Sequence, residues 1–111
     1  MARIYGLPNI SPAEVEQRLG EAGFFIFDNN AIAGWRQHHL PGAKHLEPAD
    51  FEEADLPADK NATLVFYCAG PMSGAAPYAG MRARNLGYRH VYVMTAGING
   101  WVDADKPIEK G

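Results

Sequence analysis

Two stretches of this chain carry apolar residues on both alternating sets of positions at once. Phe24-Phe25-Ile26-Phe27 runs straight into Asp28, and Leu64-Val65-Phe66-Tyr67 runs straight into Cys68. A half-buried strand alternates apolar with polar residues. A short β-rich run with no polar member reads as a strand covered on both faces. Such strands belong to parallel sheets, because the crossovers between parallel strands place helices on each side. The fold class expected is therefore α/β, with a central, mainly parallel sheet flanked by helices on both faces. A length of 111 residues suits one domain over 1–111, and a hydrophobic share of 47% supplies a core without disulfide staples.

The segments between these runs supply the helices and turns. Ala2–Leu7 reads as a short strand at the sheet edge. Ser11-Pro12-Ala13-Glu14 is a helix start, with Ser11 as cap, Pro12 at the first position and Glu14 closing an S-x-x-E box. That helix is predicted to run to about Glu21, with Val15 and Leu19 on one face. Asn29–Gln37 reads as a short helix or turn carrying Trp35. Pro41-Gly42 marks a tight turn before a short strand over Ala43–Leu46. Glu47–Asp55 is acidic and in part helical, and Leu56–Ala62 is a polar loop. Val91–Met94 is the last strand, followed by a Gly-rich turn and short helix up to Val102. The polar tail from Asp103 is expected to fray.

The chemistry concentrates where the second apolar run stops, on the one cysteine of the chain. Gly70, Pro71, Ser73 and Gly74 then form a loop. From Ala75 to Leu86, small or apolar residues at 75, 76, 79, 83 and 86 make a helical stripe, with Pro77 suited to its first turn. Ligands of parallel α/β sheets bind beyond the carboxyl ends of the strands. A thiol there faces a helix N-terminus, whose free N–H groups favour an anion. Cysteines so placed fall from a pKa of about 8.5 to roughly 3.5–7.5. The alternative is an inert cysteine buried at a strand end.

A lone cysteine excludes an internal disulfide and a Cys-rich metal site, and the histidines show no metal spacing, so neither metal nor cofactor is expected. The formal net charge of -3 argues against a nucleic-acid partner. The unpaired thiol fits a reducing compartment, and neither a leader-like start nor a membrane-length apolar run is present. A cytoplasmic protein away from membranes is expected.

Three motifs, in order, resemble those of single-domain rhodaneses over about residues 11–108. The first is the strand ending on Asp28, followed by His39-Leu40-Pro41-Gly42-Ala43, similar to the family's H-I-P-G-A. The second is Val65-Phe66-Tyr67-Cys68 with its Gly/Ser loop and Ala-rich helix ending Leu86-Gly87-Tyr88. The third is Val91–Met94 with Ala96-Gly97-Ile98-Asn99-Gly100-Trp101, similar to the family's G-G-x-x-x-W end. Two departures accompany them. Asp28-Asn29-Asn30 lacks the arginine of the family's D-x-R, and Ala69–Ala76 carries no Arg, Lys or His.

The resemblance implies a rhodanese-like domain and a sulfurtransferase. Cys68 would take the outer sulfur of a donor such as thiosulfate or a persulfide. It would hold that sulfur as a persulfide and pass it to cyanide or a thiol, which a protein could carry. The main-chain N–H groups of Ala69, Gly70, Met72, Ser73, Gly74 and Ala75 are the candidates to hold the anionic sulfur. The Ser73 hydroxyl is one further donor, and Gly70 and Gly74 would supply backbone freedom. A binding or redox-sensing module of the same fold is the alternative. A Cys-(five residues)-Arg phosphatase loop is disfavoured, because Gly74 stands where the arginine would be. The plainer expectations are that His39 pins the Pro41-Gly42 turn and Asp28 orders its neighbouring loop. Trp101 anchors the core, and Arg82 and Arg84 are solvated.

Overall fold

A computed structural model describes residues 3–4 and 6–111. The elements in chain order are β1 (Arg3–Ile4), β2 (Leu7–Pro8), α1 (Pro12–Arg18), β3 (Phe24–Asp28), α2 (Ile32–Gln37), β4 (Lys44–His45), β5 (Thr63–Tyr67), α3 (Ala75–Asn85), β6 (His90–Val93) and α4 (Gly97–Asp103). Four of the strands form one sheet in the order β4-β3-β5-β6, with every pair parallel. The two apolar runs, β3 and β5, are its central strands. Each is shielded by a neighbour on both edges, as their composition requires.

The pleat divides the core into two layers. Leu64, Phe66 and Cys68 point to one face, where they meet Ala76, Ala79 and Ala83 of α3. Val65 and Tyr67 point to the other, where they meet Val15 of α1 and Ile98 and Trp101 of α4. Helices thus lie on both faces, but the cover expected over all of β3 is incomplete, because Phe25 stays 39% exposed. The small residues of α3 let its axis lie close to the sheet. A Cβ built on Gly80 would come 2.7 Å from Leu7 Cδ1, so even one methyl group there requires the β2 side chain to move.

Helix α1 starts as its sequence dictates. Glu14 N–H donates to Ser11 Oγ at 3.1 Å, and Ser11 N–H donates to Glu14 Oε1 at 3.0 Å. This reciprocal pair satisfies two otherwise orphaned donors. It also holds the Glu14 carboxyl below its ordinary value, the Ser11 N–H contributing most and the hydroxyl next. The helix ends at Arg18, short of Glu21, because Gly20 turns the chain at φ +80.

The N-terminal segment is a two-stranded antiparallel hairpin rather than one strand of the sheet; Ala2 and Tyr5 of the expected strand lie outside the described residues. The chain meets the sheet edge just beyond it, where Asn9 bridges Val93 and Ile10 N–H donates to Val93 O at 3.0 Å. The strand expected over Ala43–Leu46 is reduced to Lys44–His45. The acidic stretch Glu47–Asp55 yields a single 3-10 turn over Glu53–Asp55.

The C-terminal tail is docked, which corrects the expectation that it frays. Trp101 is fully buried, and its Nε1–H reaches Pro107 O at 2.6 Å. Glu109 and His39 then exchange backbone hydrogen bonds of 2.9 and 2.8 Å. The Glu109 carboxylate accepts Gly42 N–H at 2.9 Å. A buried indole N–H needs an acceptor, and the tail supplies it. No helix among the described residues is long and apolar enough to cross a membrane.

Candidate active site

Cys68 directly follows β5, and its side chain belongs to the α3 face of the sheet. The sulfur lies beneath the loop, with Cys68 only 4% exposed, so it is buried at the strand end as well as facing the helix N-terminus. The Ala76 N–H, in the first turn of α3, donates to Sγ at 3.4 Å. The thiol in turn donates to Ser73 O at 3.7 Å. A space of about 10 Å³ opens over the sulfur between Gly70, Pro71, Ser73, Pro77 and Met94, enough for about one water-sized group. No lining residue other than Cys68 is ionisable.

The loop surrounding this space is tied down at its start and open at its crest. Ile98 N–H donates to Cys68 O at 2.9 Å, and Asn99 N–H donates to Ala69 O at 3.0 Å. The first turn of α4 therefore grips the first two carbonyls of the loop. Met72, at the crest, is 97% exposed. Of the six N–H groups expected to face an anion, that of Ser73 is already taken, donating to Gly70 O at 3.1 Å. Those of Ala69, Gly70, Met72, Gly74 and Ala75 have no acceptor among the described residues. The Ala76 N–H, absent from the expected set, is the one that reaches the sulfur. A helix of 11 residues leaves its first N–H groups unpaired, and Ala76 stands among them.

The glycines play different parts from those expected. Neither Gly70 nor Gly74 adopts a positive φ. The glycine that the loop geometry requires is Gly97, in α4, at φ +65. A Cβ there would fall inside contact distance of Ala69 O, and 2.6 Å from Gly70 N. Gly97 was legible as part of the Gly-rich turn but not as the floor of the loop. Nothing in a single sequence shows which backbone it approaches.

Asp28 stands at the same end of the sheet as Cys68 but on the other face. It pairs in register with Tyr67, whose hydroxyl donates to Oδ2 at 2.6 Å, while Asn30 N–H donates to Oδ1 at 2.8 Å. The second bond is the loop-ordering role expected of Asp28. Leu40 N–H donates to the Tyr67 oxygen at 3.1 Å. Burial, and then the Asp28 carboxylate, push the Tyr67 hydroxyl far above the ordinary phenol range.

One residue on, Asn29 comes opposite Cys68 and is held by Nδ2–H donating to Leu46 O at 3.1 Å. His39 does not pin the Pro41-Gly42 turn through its ring. Its Nδ1 lies 2.6 Å from Trp35 O, and the ring stacks on Trp35 at 4.2 Å. Arg82 is not a solvated charge. Its guanidinium donates to Pro48 O at 2.8 Å and Phe51 O at 2.9 Å while lying over the Phe51 ring. Arg84 is exposed, as expected. Among the described residues no group of His, Cys, Asp and Glu is arranged to hold a metal ion.

The family model described as Rhodanese-like domain matches residues 11–104. The chain is 25% identical over 107 residues to the thiosulfate sulfurtransferase GlpE of Haemophilus influenzae, covering 90% of this chain and 92% of that protein. Among solved structures, the BH2092 protein of Bacillus halodurans superposes with a TM-score of 0.85 at 21% identity, over 93% of this chain and 77% of that one. A thiosulfate sulfurtransferase from Pseudomonas aeruginosa superposes with a TM-score of 0.83 at 27% identity, over 100% of this chain and 21% of that one.

Proposed function

This chain belongs to the rhodanese-like domain family, and from that premise we propose that it is a sulfurtransferase whose carrier is Cys68. The observation that carries the reading is the meeting of the one cysteine with a helix N-terminus, the Ala76 N–H donating to Sγ at 3.4 Å. An N–H aimed at sulfur stabilises negative charge on it, and the adjoining dipole acts in the same sense.

The reaction is a double displacement. The Cys68 thiolate attacks the outer sulfur of the donor, thiosulfate or a persulfide. The donor's S–S bond breaks, and its electron pair leaves with sulfite or with the donor thiolate. Cys68 is left as a persulfide anion. A nucleophile, cyanide or a thiolate, then attacks the terminal sulfur, and the electron pair of the broken bond returns to Cys68. The charge is the same before and after each step.

In the resting loop the thiol donates to Ser73 O, a bond that is lost when the thiolate forms. The unpaired N–H groups of Ala69, Gly70, Met72, Gly74 and Ala75 are the donors proposed to replace it around the transferred sulfur. The sulfurtransferases named above, GlpE and the Pseudomonas aeruginosa protein, support the same reaction class.

The test is thiocyanate formation from a sulfur donor and cyanide, compared between wild type and Cys68→Ser. Turnover that vanishes in the variant supports the reading, and turnover that survives it removes Cys68 from the mechanism. The deep burial of Cys68 favours one competing reading, a binding module of the same fold. That reading predicts no turnover in either protein.

A further inference from the structure

At the end of the sheet away from Cys68, His90 opens β6 beside Thr63, the first residue of β5. A pocket of about 250 Å³ lies there, lined by Arg84, Arg89 and His90 over walls that include Leu7, Val91 and Tyr92. Among the described residues no carboxylate lines it. That composition is unusual for a chain with a net charge of -3. Three cations elsewhere are ion-paired, Arg18 with Glu21, Lys60 with Glu53 and Lys106 with Glu16, and Lys44 and Arg82 donate to backbone carbonyls. The guanidinium groups of Arg84 and Arg89 have no hydrogen-bond or ion-pair partner among the described residues.

The Arg84 guanidinium lies against the hairpin turn between β1 and β2. Gly6 sits at φ +75, and a Cβ there would come 2.9 Å from Arg84 Nη1. A side chain at position 6 would therefore crowd the guanidinium where it now lies.

We infer that this pocket binds a tetrahedral oxyanion of the phosphate or sulfate class. Two guanidinium groups line the pocket, and each planar fork can donate paired hydrogen bonds to an edge of such an anion. A doubly negative ligand also relieves the repulsion between cations that share a wall. The volume lies below the roughly 300–1,000 Å³ typical of pockets for larger ligands. It suits the anion alone or the anion on a small apolar body resting against Leu7, Val91 and Tyr92. The site is separate from Cys68 and does not depend on sulfur transfer.

The experiment is an amide chemical-shift titration of the whole chain at low ionic strength with inorganic phosphate, inorganic sulfate and phenyl phosphate. Saturable shifts at Arg84 and His90–Tyr92 are expected. Tighter binding of phenyl phosphate assigns an esterified anion, and equal binding assigns the free one. The Arg84→Gln/Arg89→Gln variant should weaken binding about tenfold or more, with an unchanged thermal melt because both side chains are exposed. Absence of saturable shifts in the wild type overturns the inference. So does undiminished binding in the double variant.

Discussion

Replacing Gly97 by Ala tests the loop architecture where it is most constrained. The residue lies at φ +65, so any side chain incurs about 1–2 kcal/mol from the left-handed backbone. The added Cβ would also lie 2.6 Å from Gly70 N and 2.5 Å from Ala69 C. Both are backbone atoms, so no rotamer change relieves the contact, and overpacking of this kind costs about 1–3 kcal/mol. Together these give a loss of about 2–5 kcal/mol, or roughly 10–25 °C in melting temperature. The distortion falls on Ala69, whose carbonyl accepts the Asn99 N–H, so the loop lifts away from the sulfur. Urea unfolding should show a lower midpoint at unchanged slope. Alkylation of Cys68 by iodoacetamide, slow in the wild type because the residue is 4% exposed, should accelerate. Gly74→Ala is the control. Gly74 has φ -94 and nothing within 4 Å of an added Cβ, so this change should be neutral or stabilise by about 0.4–1 kcal/mol. A Gly97→Ala protein with wild-type midpoint and wild-type alkylation rate would refute the reasoning.

Other perturbations probe the supports of the site. Tyr67→Phe removes the donor to Asp28 and the acceptor of Leu40 N–H, and should cost about 2–4 kcal/mol in urea unfolding. Because the Tyr67 hydroxyl is raised in the folded state, its contribution is complete below the unfolded phenol value of about 10 and declines as pH rises beyond it. The alkaline limb of the stability profile should therefore flatten in Tyr67→Phe, and an unchanged limb would contradict the assignment. Ser11→Ala opens the capping box of α1 and should lower stability by about 0.5–2 kcal/mol, measurable by thermal melting. Deleting residues 107–111 removes the acceptor of Trp101 Nε1–H and the bridge to His39, at a cost of about 2–4 kcal/mol. Exchange of the His39 amide should then become fast, because its acceptor, Glu109 O, is gone.

The parts of the fold legible in the sequence are those where one residue type leaves few choices. The all-apolar runs of β3 and β5 point to the central strands of a sheet covered on both faces, which holds for β5 and for all of β3 but Phe25. Ser11, Pro12 and Glu14 together fit only a helix start, and the small residues of α3 fit only a helix lying close to that sheet. What stayed hidden depends on partners distant in the chain. Nothing about Glu109 announces that its backbone pairs with His39, since polar tail residues show no periodicity. Arg82 reads as a surface charge until Pro48 and Phe51 are folded beneath it. The depth of Cys68 was hidden for the same reason. Residue order places it after a buried strand, but only the path of the loop decides whether the sulfur lies above or below the backbone.

The central claim is that Cys68 receives and gives up a single sulfur. The direct measurement is intact mass and peptide mapping after incubation with thiosulfate and with a low-molecular persulfide, with Cys68→Ser alongside. The account predicts the added mass of one sulfur atom on the peptide containing Cys68, discharged as thiocyanate when cyanide is supplied and absent in the variant. A protein that gains no sulfur from either donor, or that gains it at another residue, would contradict it.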